Sequence, residues 1–365
     1  NRYEIVDEYM AEGYTTDFHD LQLLDNGNAL LLIHDLQTVD MSKLTPGGST
    51  EAPVIGCIIQ EVDQDNKKLF QWRSWDYIDI LDTNRPLDDD PLRYIHCNSI
   101  ELDHDGHILI SSRHLDEVTK INRQTGDIIW RMGGRHNEFD FTNDYGFNYQ
   151  HDARRLANGN LTIYDNGVLH EPKHSRGIEY WVSESSRTVA KVAEFRNTPE
   201  TYALAMGNMQ TLPNSNVVVG WGRSSAPILT EFDQAGTKLL ELTTEKRMAT
   251  YRAFRFPWQG TPTWPPVLAI RQEDSTAHLH FSWNGSTETA TYKIFAGRRQ
   301  MRLNHIATVS RDGFETIYPY EMTRLGFWYF QVIAVDGEGN EGPPSNIAHA
   351  VLGGESAYLA VISSQ

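Results

Sequence analysis

From residue 11 onward, apolar and polar positions alternate in short runs, and tight polar turns separate them. Residues 161–164, Leu-Thr-Ile-Tyr, follow Asn158-Gly159-Asn160, and residues 175–181 follow Asp165-Asn166-Gly167. Period-two alternation bounded by turn residues predicts strands. Asn158-Gly159 predicts a two-residue type I′ turn with positive φ at both positions. The same cassette of inner strand, polar turn and second strand recurs. Phe18-His19-Asp20-Leu21 precedes Leu24-Asp25-Asn26-Gly27-Asn28, and His96-Cys97-Asn98-Ser99 precedes Leu102-Asp103-His104-Asp105-Gly106. Gln150-His151-Asp152-Ala153 precedes the Asn158 turn, and Asn208-Met209-Gln210 precedes Leu212-Pro213-Asn214-Ser215-Asn216. Three copies carry a histidine on the inner strand, and the fourth has Asn208. Self-similarity with loops of uneven length predicts the blades of a β-propeller.

Further strands are predicted at 54–62, 67–72, 118–122, 127–130, 188–195, 228–232 and 237–242, each beside a polar turn. Segment 3–10 reads as an opening strand, 77–93 as a long acidic loop, and 131–149 as a Gly-, Asn- and Phe-rich insertion. No helix longer than two turns is expected before residue 265. Four prolines and two tryptophans make 257–266 a stiff linker. Beyond it come strands at 267–272, 277–283, 291–296, 305–309, 315–318, 328–336 and 347–351. Seven short strands at this spacing predict an immunoglobulin-like sandwich. Trp283 is the expected core tryptophan and Tyr329 the expected corner tyrosine, and the domain resembles a fibronectin type III module. The chain is therefore all-β, with a propeller domain at 1–265, a β-sandwich at 266–352 and a tail at 353–365.

Composition narrows the function. Aromatics make up 11% of the 365 residues, with nine tryptophans, as expected of a packed β protein. A net charge of −17 argues against nucleic acid or an anionic lipid surface as partner. No apolar run reaches the roughly 18 residues of a membrane-spanning helix, so no membrane insertion is expected. Cys57 and Cys97 are either a disulfide of an oxidising compartment or two buried thiols. Asn160 and Asn284 head glycosylation sequons, which carry meaning in a secreted or secretory-lumen protein.

The candidate chemistry lies on the inner strands. Blades of a propeller turn their first strands to the axis, so His96 and His151, in equivalent places, are expected to face one another there. Arg176 follows the Asp165-Asn166-Gly167 turn back towards the same end. Histidine titrates near neutrality and arginine stabilises developing negative charge. Asn98, Arg113, His114, Asp152, Trp221 and Tyr251 are expected to line the pocket as substrate-binding groups. His19, His34, His104 and His107 flank turns and read as structural. No spacing puts two metal ligands on one face, so neither a metal nor a cofactor is expected.

Several segments together resemble the arylsulfotransferase-like propellers in their fungal-type branch. They are His96-Cys97-Asn98-Ser99, Ser111-Ser112-Arg113-His114, Ile128-Ile129-Trp130-Arg131-Met132-Gly133-Gly134, Gln150-His151-Asp152-Ala153, Tyr164-Asp165-Asn166-Gly167, Ser175-Arg176 and Val219-Gly220-Trp221-Gly222. The resemblance covers about two-thirds of the chain and implies a six-bladed propeller. It also implies that N-terminal blades are missing here, so a preceding segment of the same propeller is an expected partner. In bacterial members a channel histidine carries the sulfuryl group between phenols. By motif, His96, His151 and Arg176 match supporting positions. The remaining family histidine belongs to the blade at 207–225, which has none, so no sulfohistidine is expected. Three functions stay open: a non-covalent enzyme for an aromatic small molecule, such as a hetero-Diels–Alderase of fungal natural-product biosynthesis; an aryl sulfotransferase; and a non-enzymatic ligand-binding propeller.

Overall fold

The computed structural model describes residues 2–224, 227–244 and 248–353, and the remainder of the tail expected at 353–365 lies outside them. The chain divides into two compact units, one of Glu8–Arg255 and one joining its first seven residues to Phe256 and beyond.

The larger unit is a succession of four antiparallel sheets, a propeller-like array. The first contains β1 (Thr16–Leu23), β2 (Ala29–Val39), β3 (Ala52–Val62) and β4 (Lys68–Arg73), with the short β5 (Leu92–Arg93) parallel to β3. The second is β6 (Cys97–Leu102), β7 (Ile108–Ser112), β8 (Glu117–Ile121) and β9 (Ile128–Gly133). The third runs from β11 (His151–Arg155) through β12 (Leu161–Asp165) and β13 (Arg176–Ser183) to β14 (Thr188–Phe195), with β10 (Asp140–Phe141) on its outer edge. The fourth is β15 (Asn208–Thr211), β16 (Val217–Gly220), β17 (Leu229–Phe232) and β18 (Lys238–Leu242).

Middle strands read as continuous apolar runs because neighbouring sheets cover both of their faces. Ala29–Ile33 of β2 and all of β16 are buried, whereas the outermost β18 is largely exposed. The cores therefore lie between sheets. One joins Leu30, Ile59 and Trp72 to Ile100 and Ile110. The next joins Val118 and Trp130 to Ile163 and Ile178, and the third joins Tyr164 and Phe195 to Met209, Trp221 and Phe232.

The four cassette turns share one geometry, and it is not the two-residue type I′ turn. The residue opening each turn donates to a carbonyl four residues on: Leu24 to Asn28, Asp103 to His107, Leu156 to Asn160 and Leu212 to Asn216. Positive φ falls only on the fourth turn residue, at Gly27, Gly106, Gly159 and Ser215, not on Asn158. This is a longer loop built on a type I turn closed by one left-handed residue.

Segment 3–10 is not a strand, because no neighbouring strand pairs with it. Tyr3 instead belongs to the second unit, where its hydroxyl donates to the Gly285 carbonyl at 2.7 Å and its ring lies 5.3 Å from Trp264. That unit is a β-sandwich. One sheet is β19 (Val267–Glu273), β20 (Thr276–Ser282) and β23 (Thr316–Glu321). The other orders β22 (Arg302–Ser310), β21 (Thr289–Arg299), β24 (Gly326–Asp336) and β25 (Glu341–Pro344), and β26 (Ala348–Leu352) also pairs with β24. The core tryptophan is Trp328, buried among Leu279, Phe281 and Phe330, while Trp283 is only partly covered. Tyr329 does not form the expected corner; its ring is half-buried beside Phe327 and His349.

Candidate functional site

The inner strands β1, β6, β11 and β15 succeed one another around an axis, and a repeated clasp holds them. Asp20, Asp152 and Asn208 stand four residues before the residue that opens their turn, and Asn98 stands five before. Asp20 accepts the Ile100 N–H at 2.9 Å, and the Asn98 side-chain amide donates to the Gln150 carbonyl at 2.7 Å. Asp152 accepts the Met209 N–H at 3.3 Å, and Asn208 exchanges two bonds with the Ala253 backbone. Each strand thus grips the next one, which makes Asn98 and Asp152 part of the frame. Arg252 ties the ring across the axis, bonding Asp20 at 2.6 Å, Asp152 at 3.4 Å and the Asn98 carbonyl at 2.9 Å.

One position before each clasp the copies differ. His19 of β1 and His151 of β11 stand there, whereas β6 has Cys97, with His96 one residue ahead of the strand; β1, β6 and β11 are each irregular near this place, and β15 is regular. A bulge re-aims a side chain. The fourth copy has Gly207 at this place, with φ +103, and a Cβ on it would stand 2.2 Å from the Tyr164 ring. As packed, this position does not accommodate a side chain. Left-handed φ values at His96, Asp116, Tyr149, Asp152 and Met206 concentrate backbone strain on this same face.

The histidines form one cluster. His96 stacks on His114 at 4.9 Å between ring centroids and meets His19 edge-on at 4.8 Å. His19 in turn contacts His34 at 5.7 Å and Tyr251 at 5.9 Å. The members differ in what their ring nitrogens do. His151 Nδ1 lies 2.6 Å from Asn166 Oδ1, and Asn166 spends its amide protons on the Ala203 and Met206 carbonyls. Nδ1 of His151 therefore donates, and Nε2 accepts the Met206 N–H at 3.2 Å. His114 is likewise engaged at both ends, by the Arg93 carbonyl at 2.6 Å and Arg113 Nη1 at 2.7 Å. Neither nitrogen of His96 has a hydrogen-bond partner among the described residues, although Nδ1 is buried. Burial, with neighbouring histidines and Arg113, pushes the His96 pKa well below its ordinary value. Burial also lowers His114 and His151, each to about 3. The three rings are neutral at pH 7.

Beside the stack opens a cavity of about 240 Å³ lined by Arg85, Asp89, Pro91, Arg93, Arg113 and His114. Arg85 is paired with Asp89. No carboxylate lies within ion-pair distance of Arg93 or Arg113 among the described residues. Arg113 sits over the Tyr149 ring at 4.8 Å and donates to the Leu204 carbonyl, and its Nε is buried without a partner. Burial holds the Arg113 pKa below its usual value. Guanidinium groups without a carboxylate partner can bind an anionic oxygen and stabilise developing negative charge.

The structure brings His96, Arg113, His114, His151 and Tyr251 together, but not Arg176. That side chain is fully buried within the third sheet, bonded to Asp165 at 2.9 Å, Asp144 at 3.0 Å and Glu194 at 3.1 Å. The β12–β13 register sets Arg176 opposite Asp165 and directs it into the blade. Trp221 is fully buried between the third and fourth sheets, its Nε1–H donated to Thr230 at 2.9 Å. Asn160 donates its amide to Glu179 at 2.6 Å, and Asn284 is exposed in the sandwich. Cys57 and Cys97 are buried free thiols. Two groups read from the sequence as flanking turns, His19 and His34, prove to sit in the cluster, and Arg93 escaped notice. The two-residue spacing of Asp17 and His19 on one strand face was the available signal.

Sheet order, histidine-lined axis and unpaired arginines define a propeller-like protein with a small polar site at its inner strands. The chain belongs to the arylsulfotransferase (ASST) family, which matches over residues 2–245. Among solved structures it is similar to a protein of unknown function from Bacteroides caccae, at 13% identity and TM-score 0.38, covering 63% of this chain and 70% of that one. It is similar over 24% of its length to pectate lyase PelI from Erwinia chrysanthemi, at 14% identity and TM-score 0.20, and spans 27% of that chain. A human fibronectin type III domain is covered over 97% of its length by 30% of this chain, at 18% identity and TM-score 0.19. No curated protein sequence matches the chain.

Proposed function

We propose that the site takes a small aromatic molecule carrying an anionic or incipiently anionic oxygen, of the phenol, tropolone or quinone-methide type, and promotes non-covalent chemistry on it. The observation that carries this reading is the pair Arg93 and Arg113, two cations at one cavity with no carboxylate at ion-pair distance among the described residues, in a protein of net charge −17. A cavity of about 240 Å³ lies below the roughly 300–1,000 Å³ of drug-sized pockets, which suits one aromatic ring with a short substituent. Tyr149 under Arg113 and the His96–His114 stack supply flat faces for such a ring. Arginine N–H groups would polarise the quinone-methide oxygen, the activation that a hetero-Diels–Alder cycloaddition with an alkene needs. The test is to incubate the protein with a quinone-methide precursor and an electron-rich alkene and follow the cycloadduct. Turnover above the uncatalysed rate that falls at least tenfold in Arg113→Gln supports the reading, and an unchanged rate with wild-type protein sinks it.

One observation favours a second reading, aryl sulfotransfer. His96 has both ring nitrogens free of hydrogen bonds and stands against the arginine-lined cavity through His114. A neutral imidazole with a free lone pair is a competent nucleophile, and Arg113 would stabilise the transferring oxygens. Incubation with an aryl sulfate and intact-mass analysis separates the two: a sulfuryl adduct mapped to His96 selects this reading, and an unmodified protein retains the first.

A further inference from the structure

We propose that Asp17, His19 and His34 form a binding site for a divalent transition metal of the zinc class, seated on the first sheet beside the histidine cluster. Asp17 and His19 are two apart on β1 and so share a face, and β2, which carries His34, is the neighbouring strand. Three potential ligand atoms, one from each residue, lie within 4.8 Å of one another. His19 Nδ1 is 2.8 Å from Asp17 Oδ1, and His34 Nε2 is 3.2 Å from Asp17 Oδ2. Bonds of about 2.0–2.2 Å to a tetrahedral zinc would hold such atoms a little over 3 Å apart, so small side-chain rotations suffice.

Charge points the same way. Asp17 is buried, and its only ion-pairing partners among the described residues are the two imidazoles. A buried carboxylate between imidazoles lacks the permanent cation that such groups ordinarily have. A metal would supply it, and two nitrogens with one carboxylate are a donor set that zinc accepts, leaving a fourth position open. His34 is partly exposed and gives the ion an entry path. The opposing group is Arg93, whose Nη1 is 3.4 Å from His34 Nε2. It has no carboxylate holding it there, and the neighbouring cavity gives its guanidinium room to turn away. The proposal stands independently of which reaction the site promotes.

Calorimetric titration of the chelator-treated protein with Zn²⁺ tests it. The expected result is one saturable site, with affinity reduced at least 100-fold in His34→Gln and in His19→Gln. Zn²⁺ should also raise the thermal midpoint of the wild type and leave that of His34→Gln unmoved. This second readout needs only the partly exposed His34 to be replaced, so it survives if His19→Gln fails to fold. A wild-type protein without a saturable site, or one whose Zn²⁺ binding and thermal shift persist in His34→Gln, overturns the proposal.

Discussion

Two arginines of the propeller-like unit, Arg176 fully buried and Arg113 partly so, show opposite arrangements. Arg176 lies inside the third sheet with Asp144, Asp165 and Glu194 around it, the Gly146 carbonyl at 2.7 Å and the Tyr145 ring at 4.2 Å. Those carboxylates push its pKa far above the ordinary value. Arg113, at the axis, has one imidazole, one carbonyl and an aromatic face, and its pKa is pushed down. The first arrangement is complete without a ligand. The second leaves a cation undercompensated, which is stability given up for a binding site. The lesson is that an arginine's partners, rather than its burial, separate scaffold from site. His151 and His96 repeat the contrast, one ring bonded at both nitrogens and the other at neither.

The sharpest break of the comparison is to remove each arginine. Arg176→Met should cost about 3–5 kcal/mol in denaturant unfolding, because it strands buried carboxylates. Arg113→Gln should cost less than about 1 kcal/mol. The same substitution should weaken aryl-anion binding at least tenfold, measured by titration. Equal stability losses in the two variants would erase the distinction.

The histidines give the next effect. His151→Phe leaves the Met206 N–H and Asn166 Oδ1 without partners and should cost about 2–4 kcal/mol. His96→Asn should change stability by less than about 1 kcal/mol while removing most turnover. A His96 variant that unfolds as readily as the His151 variant would place both rings in the scaffold.

Acid should act on the axis before it acts on the Arg176 network. His96, His114 and His151 have folded pKa values depressed below the unfolded value of 6.5, by burial first of all. The unfolded chain therefore binds more protons below pH 6.5. Stability is fully present above that pH and falls as pH drops towards 3, with a slope of up to about 1.4 kcal/mol per pH unit for each histidine. Unfolding free energies measured from pH 7 to 4 should show this slope reduced in His151→Phe. A flat profile would contradict the neutral, buried assignment.

Glu101 supplies the smallest effect, of opposite sign. Burial raises its pKa from 4.5 to about 7, against the pull of Arg154, whose guanidinium is shared with Asp20 and Asp152. Here the folded state binds the extra proton between pH 4.5 and 7, so stability is lost as pH rises through that window. Glu101→Gln should remove this loss and gain about 1–2 kcal/mol at pH 7.5, read from thermal or denaturant unfolding.

The fold class could be read along the chain because strand alternation and turn chemistry are local. His19, His96, His151 and the four turns announce a repeated cassette, since a period of two and a left-handed turn residue are set by near neighbours. The clasp residues Asp20, Asn98, Asp152 and Asn208 were visible as polar positions, but their bonding to the next strand was not. Segment 3–10 is rich enough in apolar residues to read as a strand, yet pairing needs a partner edge, and none of the described strands supplies one.

Arg176 and Arg113 look alike in sequence, each beside a serine and near a histidine. Only packing reveals that Asp144 and Glu194, far from Arg176 along the chain, close around it, and that no carboxylate among the described residues pairs with Arg113. That Gly207 has no room for a side chain likewise shows only once Tyr164 is packed against it. Asp17, His19 and His34 meet because β1 and β2 pair. Sequence alone determined which groups this protein has and the period on which they are mounted. Tertiary structure decided which of them are already satisfied, because hydrogen bonds and ion pairs depend on distances that the chain order does not contain.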